Sequence, residues 1–443
     1  MSDITTLAHA GALTQFAEAE PDWLRERRRD AWDVFQGTPM PTTRLEEWRY
    51  TNLKTKLDLD ALSYGANGVG PADGETTAWP EALRRAIREE DASGRVVIVD
   101  GRVTHVELRS ELADRGVVLS SLREAATEHA DLVAEHLAVR AVAPGDGKFP
   151  ALNAALWSDG VFLHVPRGVE LEDPVRVTRW FSREGAASFG RTLIVARPGS
   201  QVSLVDELLS ENFSSQTFIS DAIELFAEQD ARVQYVSIQQ LGKGVFYQAA
   251  QRTLAERDST LDTLNVALGG SVTRVDLNAR LLGSGANSDM LGLYFGDADQ
   301  HFDFNTSQDH EVAHTASDLL YKGALDGASR SVFRGIIRVH PKAQRTDAYQ
   351  TNRNLLLSPD ARADSLPNLE IEADDVRCSH GATVGELDSE AKFYLMSRGL
   401  PQRRAERLVV LGFLGEVLSR LPLGGVTEKV TRAITTKLRQ GDH

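Results

Sequence analysis

The side chains best suited to chemistry fall in two short segments. Val376 to Gly385 (VRCSHGATVG) sets Cys378 and His380 two residues apart, and on an extended strand residues two apart point to the same side. A thiolate and an imidazole on one face offer two ligands to a metal. Two ligands leave a coordination shell incomplete, so the others have to come from elsewhere. The competing reading is that Cys378 packs as a small buried hydrophobe, while His380 hydrogen-bonds a neighbouring segment.

The second segment, His301 to His314 (HFDFNTSQDHEVAH), carries His301, Asp303, Asp309, His310, Glu311 and His314. Imidazole with carboxylate suits iron or zinc, and His310 and His314 share a face on either a helix or a strand. They are the weaker metal candidates. The alternative is a ladder of polar side chains bonded to one another along the edge of a repetitive fold. Other chemistries are missing from the sequence. There is no G-x-x-x-x-G-K-[ST] phosphate loop and no G-x-S-x-G nucleophile elbow. Gly283-Ser284-Gly285 begins like a dinucleotide fingerprint, but Ser288 stands where the third glycine belongs, so these glycines read as turn residues.

Composition bounds the elements that must hold these residues. The 443 residues are 42% hydrophobic and 26% charged, enough for roughly two to four domains unless a solenoid carries one continuous core. No apolar run approaches the ~20 residues that span a bilayer. Met1 to Ala19 lacks a basic stretch followed by an apolar one, so no secretory signal is expected. The single cysteine can form neither an internal disulfide nor a four-thiolate site, which fits a reducing cytoplasm. A net charge of −15 argues against nucleic acid or an anionic membrane as partner.

Along the chain, Leu24, Ala31, Trp32 and Phe35 recur at helical spacing after Pro21, and Gly37, Pro39 and Pro41 end that helix. Arg44 to Leu53 (RLEEWRYTNL) reads as a connector anchored by Trp48 and Tyr50. Tyr64 to Gly74 is a Gly-rich loop, Arg95 to Asp100 a short strand, and residues 105 to 142 are helical in composition. From Gly145 to about Val384 short β-branched strands follow one another, among them Val161–Val165, Val175–Trp180, Thr192–Ala196, Ala222–Phe226 and Val233–Ile238. Similar turns precede strands at Gly199-Ser200, Asp230-Ala231, Asp258-Ser259, Gly285-Ala286 and Gly327-Ala328. The first three are about 30 residues apart, the rhythm of a β-solenoid. An antiparallel sandwich is the structural alternative. After Gly385, Asp388 caps a helix that runs to Arg398 and stops at Gly399, Pro401 opens a second, and Val430, Ile434 and Leu438 mark a third. From Pro401 onward eight Lys or Arg face four Asp or Glu. That basic end is either a docking face for a protein or a solvated helical face.

Leu369 to Gly399 (LEIEADDVRCSHGATVGELDSEAKFYLMSRG) resembles the C-terminal signature of the SufB/SufD family of the SUF iron–sulfur cluster assembly system, on its SufD side. Three more segments agree in order: Pro41 to Leu53 (PTTRLEEWRYTNL), Phe149 to Pro166 (FPALNAALWSDGVFLHVP) and Arg345 to Leu357 (RTDAYQTNRNLLL). The resemblance implies a mainly β protein, a right-handed parallel β-helix core flanked by α-helical regions. Its divisions are a mostly helical region over 1–144, the β-helix over 145–385, and a C-terminal helical domain over 386–443 that docks an ATPase. It implies a cytoplasmic scaffold that hydrolyses no ATP itself. The partners are a SufB-like scaffold and a SufC-like ABC-type ATPase, or a second copy when the chain is isolated.

In that reading His380 matches a histidine at the interface between the two scaffold paralogues, with Cys378 beside it. No cofactor is held stably by this chain alone; iron or a nascent iron–sulfur cluster is shared across the interface. The ATPase would meet Phe393, Tyr394, Arg398 and Gly399, and removing Leu387 to His443 would break that contact and leave the β core folded. Two alternatives stand beside it: a SufB-like homodimeric scaffold, disfavoured by the scarcity of cysteine, and a β-helix carbohydrate-active enzyme.

Overall fold

The computed structural model describes Leu13 and residues 20–64, 79–88 and 91–440. Past Tyr64, the Gly-rich loop lies outside the described residues, as does nearly all of the stretch from Met1 to Ala19. The core is a parallel β-solenoid built from two sheets, with helices at both ends of the chain. From Asp159 to Glu386, successive strands alternate between the sheets, and each pairs in parallel with the strand two places on. One sheet ends with the strand Arg362–Ile371 and the other with Arg377–Glu386.

The strands form where the sequence supplies residues that bury on both faces. Thr217–Ala227 is buried at every position, the pattern of a parallel strand covered on both sides. Inward-facing rings fill the lumen: Phe304 lies 4.8 Å from Tyr294 and 5.4 Å from Tyr321, which lies 5.4 Å from Phe333. The turns stack as well. Gly199, Asp230, Asp258 and Gly285 all adopt left-handed backbone and form one column, which continues through His314 and Arg345, also left-handed. Gly327 is left-handed too, but it belongs to the turns on the other side, stacked on Ala298. Gly283 has no room for a side chain, because a Cβ there would lie 2.0 Å from the Arg257 nitrogen. The glycines of the apparent dinucleotide motif are thus turn residues between coils.

The N-terminal region is less helical than its composition implies. Gly94–Val99 pairs in parallel with Val175–Phe181 and antiparallel with Arg102–Leu108, so the sheets begin before Gly145. Helices follow at Ser110–Asp114, Leu122–Glu128 and Ala130–His136. The connector around Trp48 straps onto the outer face of the solenoid. The Arg274 guanidinium sits 3.7 Å from the Trp48 ring centroid, and Arg274 also pairs with Asp303 at 2.6 Å. Thr51, 1% exposed, bonds both His301 and Asp303.

At the other end, helices Gln402–Arg420 and Val426–Gln440 lie on the outer face of the sheet that ends in Arg377–Glu386. Val410, Leu414, Val417, Val430 and Ile434 pack there against Val236, Ile238, Leu264, Leu291 and Leu293. Part of the basic charge of this end ties the helices to the solenoid, while Arg403, Arg404 and Arg432 are exposed. Arg420 pairs with Asp318, Lys429 with Glu207 and Lys437 with Asp297.

Candidate functional site

The register of the last coil fixes where Cys378 and His380 stand. Cys378 pairs with Ala348 and His380 with Gln350. On the strand Asp347–Leu356 the side chains of Ala348, Gln350, Asn352 and Asn354 are buried, while Tyr349 and Arg353 are exposed. The same alternation, one coil on, gives Cys378, His380, Ala382 and Val384 the lumen side. Among the described residues no further coil follows, so these positions lie at an open mouth. Both edge strands there leave one row of backbone N–H and C=O groups unpaired, a ready template for another chain.

The two candidate ligands sit differently. Cys378 is half-buried and packs with Leu369 and Val376 against Ile337, Val339, Ala343, Ala348 and Ala373. Burial pushes its thiol up from the ordinary range, and the nearby Asp347 carboxylate pushes it the same way, so at neutral pH it is a thiol rather than a poised thiolate. His380 is exposed.

The His301–His314 segment does not gather as a site. His301 and Asp303 face outward beneath the N-terminal strap, and burial, with Lys56, Arg330 and Arg274 nearby, drives the His301 imidazole down to about 3. His310 faces inward, in register with Leu281 and Val339. Both its ring nitrogens are engaged, Nδ1 with Thr315 Oγ1 at 2.7 Å and Nε2 with Ser317 Oγ at 2.8 Å. His314 is exposed on a left-handed turn. The expectation that His310 and His314 share a face fails because the strand ends at His310. The carboxylates are taken up between coils, Asp309 by Asn278 and Arg338, and Glu311 by Arg280. Among the described residues no group of three or more His, Cys, Asp or Glu side chains is arranged to hold a metal ion.

Burial lowers the His310 imidazole to about 4, and a pH dependence follows from it. The folded ring stays neutral while the unfolded one, near 6.5, takes up a proton. Its contribution to stability is complete above about pH 6.5 and is lost as pH falls toward 4. Measured by denaturation, the stability of the wild type minus that of His310→Gln should fall by about 1.4 kcal/mol per pH unit across that window. A difference independent of pH would show that the ring is not held neutral.

At the C-terminal end the helix Ser389–Ser397 buries none of its residues. Asp388 caps it by accepting from the Glu390 and Ala391 amides. Gly399, at φ +90°, stops it with the two backbone bonds of a Schellman turn, Gly399 N–H to Met396 O and Leu400 N–H to Leu395 O. Phe393 and Tyr394 are 73% and 56% exposed, with Met396 and Leu408 also exposed nearby in sequence, and the Arg398 guanidinium lies 5.2 Å from the Tyr394 ring centroid. An adjacent exposed pair of aromatics is the kind of patch that marks a protein contact.

One buried constellation carried no sequence signal. Within the lumen, Arg179 donates to Asp206 at 2.8 Å and to Thr192 at 2.6 Å, with Asp221 at 3.7 Å and the Tyr235 hydroxyl on Asp206 at 3.2 Å. One cation faces two carboxylates there, and burial pushes Asp221 up to about 6. These residues are scattered over several coils, so only the three-dimensional stacking unites them.

Two family models cover this chain. One, described as the SufBD protein N-terminal region, matches residues 10–177. The other, described as SUF system FeS cluster assembly, SufBD core domain, matches residues 179–413. Over 434 residues the chain is 32% identical to the iron–sulfur cluster assembly protein SufD of Bacillus subtilis, covering 96% of this chain and 97% of that protein. It is 27% identical over 415 residues to an iron–sulfur cluster assembly SufBD family protein of Staphylococcus epidermidis, and 26% identical to one of Staphylococcus aureus. Each of these two alignments covers 91% of this chain and 87% of the relative.

Proposed function

Because this chain belongs to the SufBD family of iron–sulfur cluster assembly proteins and is SufD-like within it, we propose that it is a cytoplasmic scaffold subunit that pairs with a SufB-like subunit through the open end of its solenoid. The observation that carries this reading is the mouth itself: two edge strands with unpaired backbone, and Cys378 and His380 side by side on the lumen face of one of them. A partner solenoid that continues both sheets would satisfy those backbone groups and close the mouth, leaving iron or a nascent cluster as cargo between the subunits. His380 supplies an imidazole, and a partner thiolate completes the ligand set. Cys378, packed and held as a thiol, serves mainly as structure or as a secondary ligand.

The ATPase reading rests on Phe393, Tyr394, Arg398 and Gly399 at the exposed helix. This chain carries no phosphate loop, so hydrolysis belongs to a SufC-like partner. No described helix is long and apolar enough to cross a membrane. Family membership displaces the carbohydrate-enzyme alternative. The homodimeric alternative uses the same open end, with a second copy in place of a paralogue.

Co-expression with SufB-like and SufC-like proteins tests the reading. The expected result is a ternary complex that forms clusters from ferrous iron and a sulfur donor. A chain that remains a homodimer in the presence of both partners would overturn the pairing.

A further inference from the structure

The helix Val426–Gln440 crosses the turns on one side of the solenoid as a bridge pinned at two points. Near its start Lys429 donates to Glu207 Oε2 at 2.9 Å. Two turns later Lys437 donates to the backbone carbonyls of Leu268 at 2.6 Å and Phe295 at 2.7 Å, with the Asp297 carboxylate at 3.5 Å. Between the pins, helix and solenoid leave a cleft of about 530 Å³. That volume lies in the range of small-molecule sites.

Floor and walls differ in chemistry. The floor comes from the turns, with Leu209, Leu241 and Leu268 around Gly242 and Gly269. Both glycines follow from the stacking of coils. A Cβ at Gly242 would lie 2.0 Å from Glu211 O, and one at Gly269 2.0 Å from Leu241 O. The floor is therefore low and largely apolar, a surface for a ring rather than for a hydrated ion. The charges stand on the walls. Lys243 on a turn and Arg432 on the helix, both exposed, line the cleft from opposite sides. With Lys429 and Lys437 they make four cations against two carboxylates, Glu207 and Asp297. The cleft is thus locally positive in a chain whose net charge is −15. Each carboxylate is engaged by a pinning lysine, and Glu207 also accepts from Gln240 Nε2 at 3.2 Å. A concave site of that sign draws an anion.

We infer that this cleft binds a small organic phosphate of mononucleotide size, its ring on the leucine floor and its phosphate between Lys243 and Arg432. The guanidinium offers a phosphate paired N–H donors, and the ammonium offers a point charge. Ligand held there touches both the helix and the turns, so it fastens the helix to the solenoid. The site uses coils well below the last one, and it stands whether or not the mouth holds a cluster.

The test uses the full chain with adenosine 5′-monophosphate as probe, followed by titration calorimetry and thermal melts. Saturable binding is expected, weakening with added salt and raising the melting temperature at saturation. Inorganic phosphate and adenosine should each bind about tenfold or more weakly than the probe. Lys243→Gln and Arg432→Gln alter exposed side chains on separate elements, so each should melt as the wild type does. Each should weaken binding of the probe by about tenfold or more. Thr436→Trp, which adds bulk at the exposed rim and leaves every charge in place, should weaken it as well. The absence of saturable binding overturns the inference. So does binding of inorganic phosphate or adenosine as tight as that of the probe, which would mean that floor and walls do not act together. Binding unchanged in both glutamine variants overturns it too, because the probe then sits elsewhere. Should one glutamine variant lose stability, the variant on the opposite wall decides.

Discussion

His380→Ala is expected to leave the fold and the complex intact while reducing cluster formation by about tenfold or more. The first half follows from exposure. His380 stands on the last strand with no coil above it, and substitutions at such positions usually change stability by no more than about 0.5 kcal/mol. The second half follows from chemistry. A neutral imidazole ligates iron, and His380 stands exposed on the lumen side of the last strand, where a partner would close the site. Cys378→Ala is the contrasting variant. Its thiol packs against Ala348, Ala373, Ile337 and Val339, so truncation should cost about 1 kcal/mol of stability with a smaller effect on cluster formation. The measurements are thermal melts, size-exclusion chromatography of the complex, and the rate at which the visible absorbance of the cluster appears. A His380→Ala complex that makes clusters at the normal rate, or one that falls apart, would sink the assignment.

The solenoid was legible because its strands carry their own signature, while its column of turns was legible only in part. The left-handed turn column recurs through Gly199, Asp230, Asp258, Gly285, His314 and Arg345 at intervals of 27 to 31 residues. The geometry is regular, while the residue types are not. Gly and Asp tolerate left-handed backbone readily, so the first four positions stand out as turns, and His314 and Arg345 do not. The same blind spot produced the expectation that His314 joins His310. Spacing alone put them on one face, but a strand that stops at His310 leaves His314 to the turn. The pairing of Cys378 with His380 was legible because both lie within one strand, where alternation holds. The Arg179, Asp206 and Asp221 cluster was not, since its members meet only through stacking of successive coils. Gln350 lay in between: Gln350, Asn352 and Asn354 alternate on one face, a pattern of inward polar groups, but the lumen side of that strand is evident only from register.

Phe393→Ala combined with Tyr394→Ala is expected to abolish co-purification with the ATPase while the chain stays folded. Each ring is mostly exposed on a helix that buries none of its residues, so neither truncation opens a cavity. Buried aromatic anchors at interfaces are commonly worth 2 kcal/mol or more apiece, so losing two should weaken binding by roughly a thousandfold. Point substitutions are the right instrument here. The sequence alone makes residues 387–443 look removable, but helices Gln402–Arg420 and Val426–Gln440 cover the outer face of one sheet. Deleting them would uncover Val236, Ile238, Leu264, Leu291 and Leu293 together and invite aggregation, so the β core is not expected to survive the truncation as a soluble unit. The exposed helix Ser389–Ser397 can be disarmed without that cost. Arg398→Ala should give a smaller loss, because its guanidinium lies against the Tyr394 ring and acts partly by holding it in place. Pull-down of the ATPase against wild type, the double variant and Arg398→Ala gives the order. Retained binding by a folded double variant would move the docking surface elsewhere on the chain.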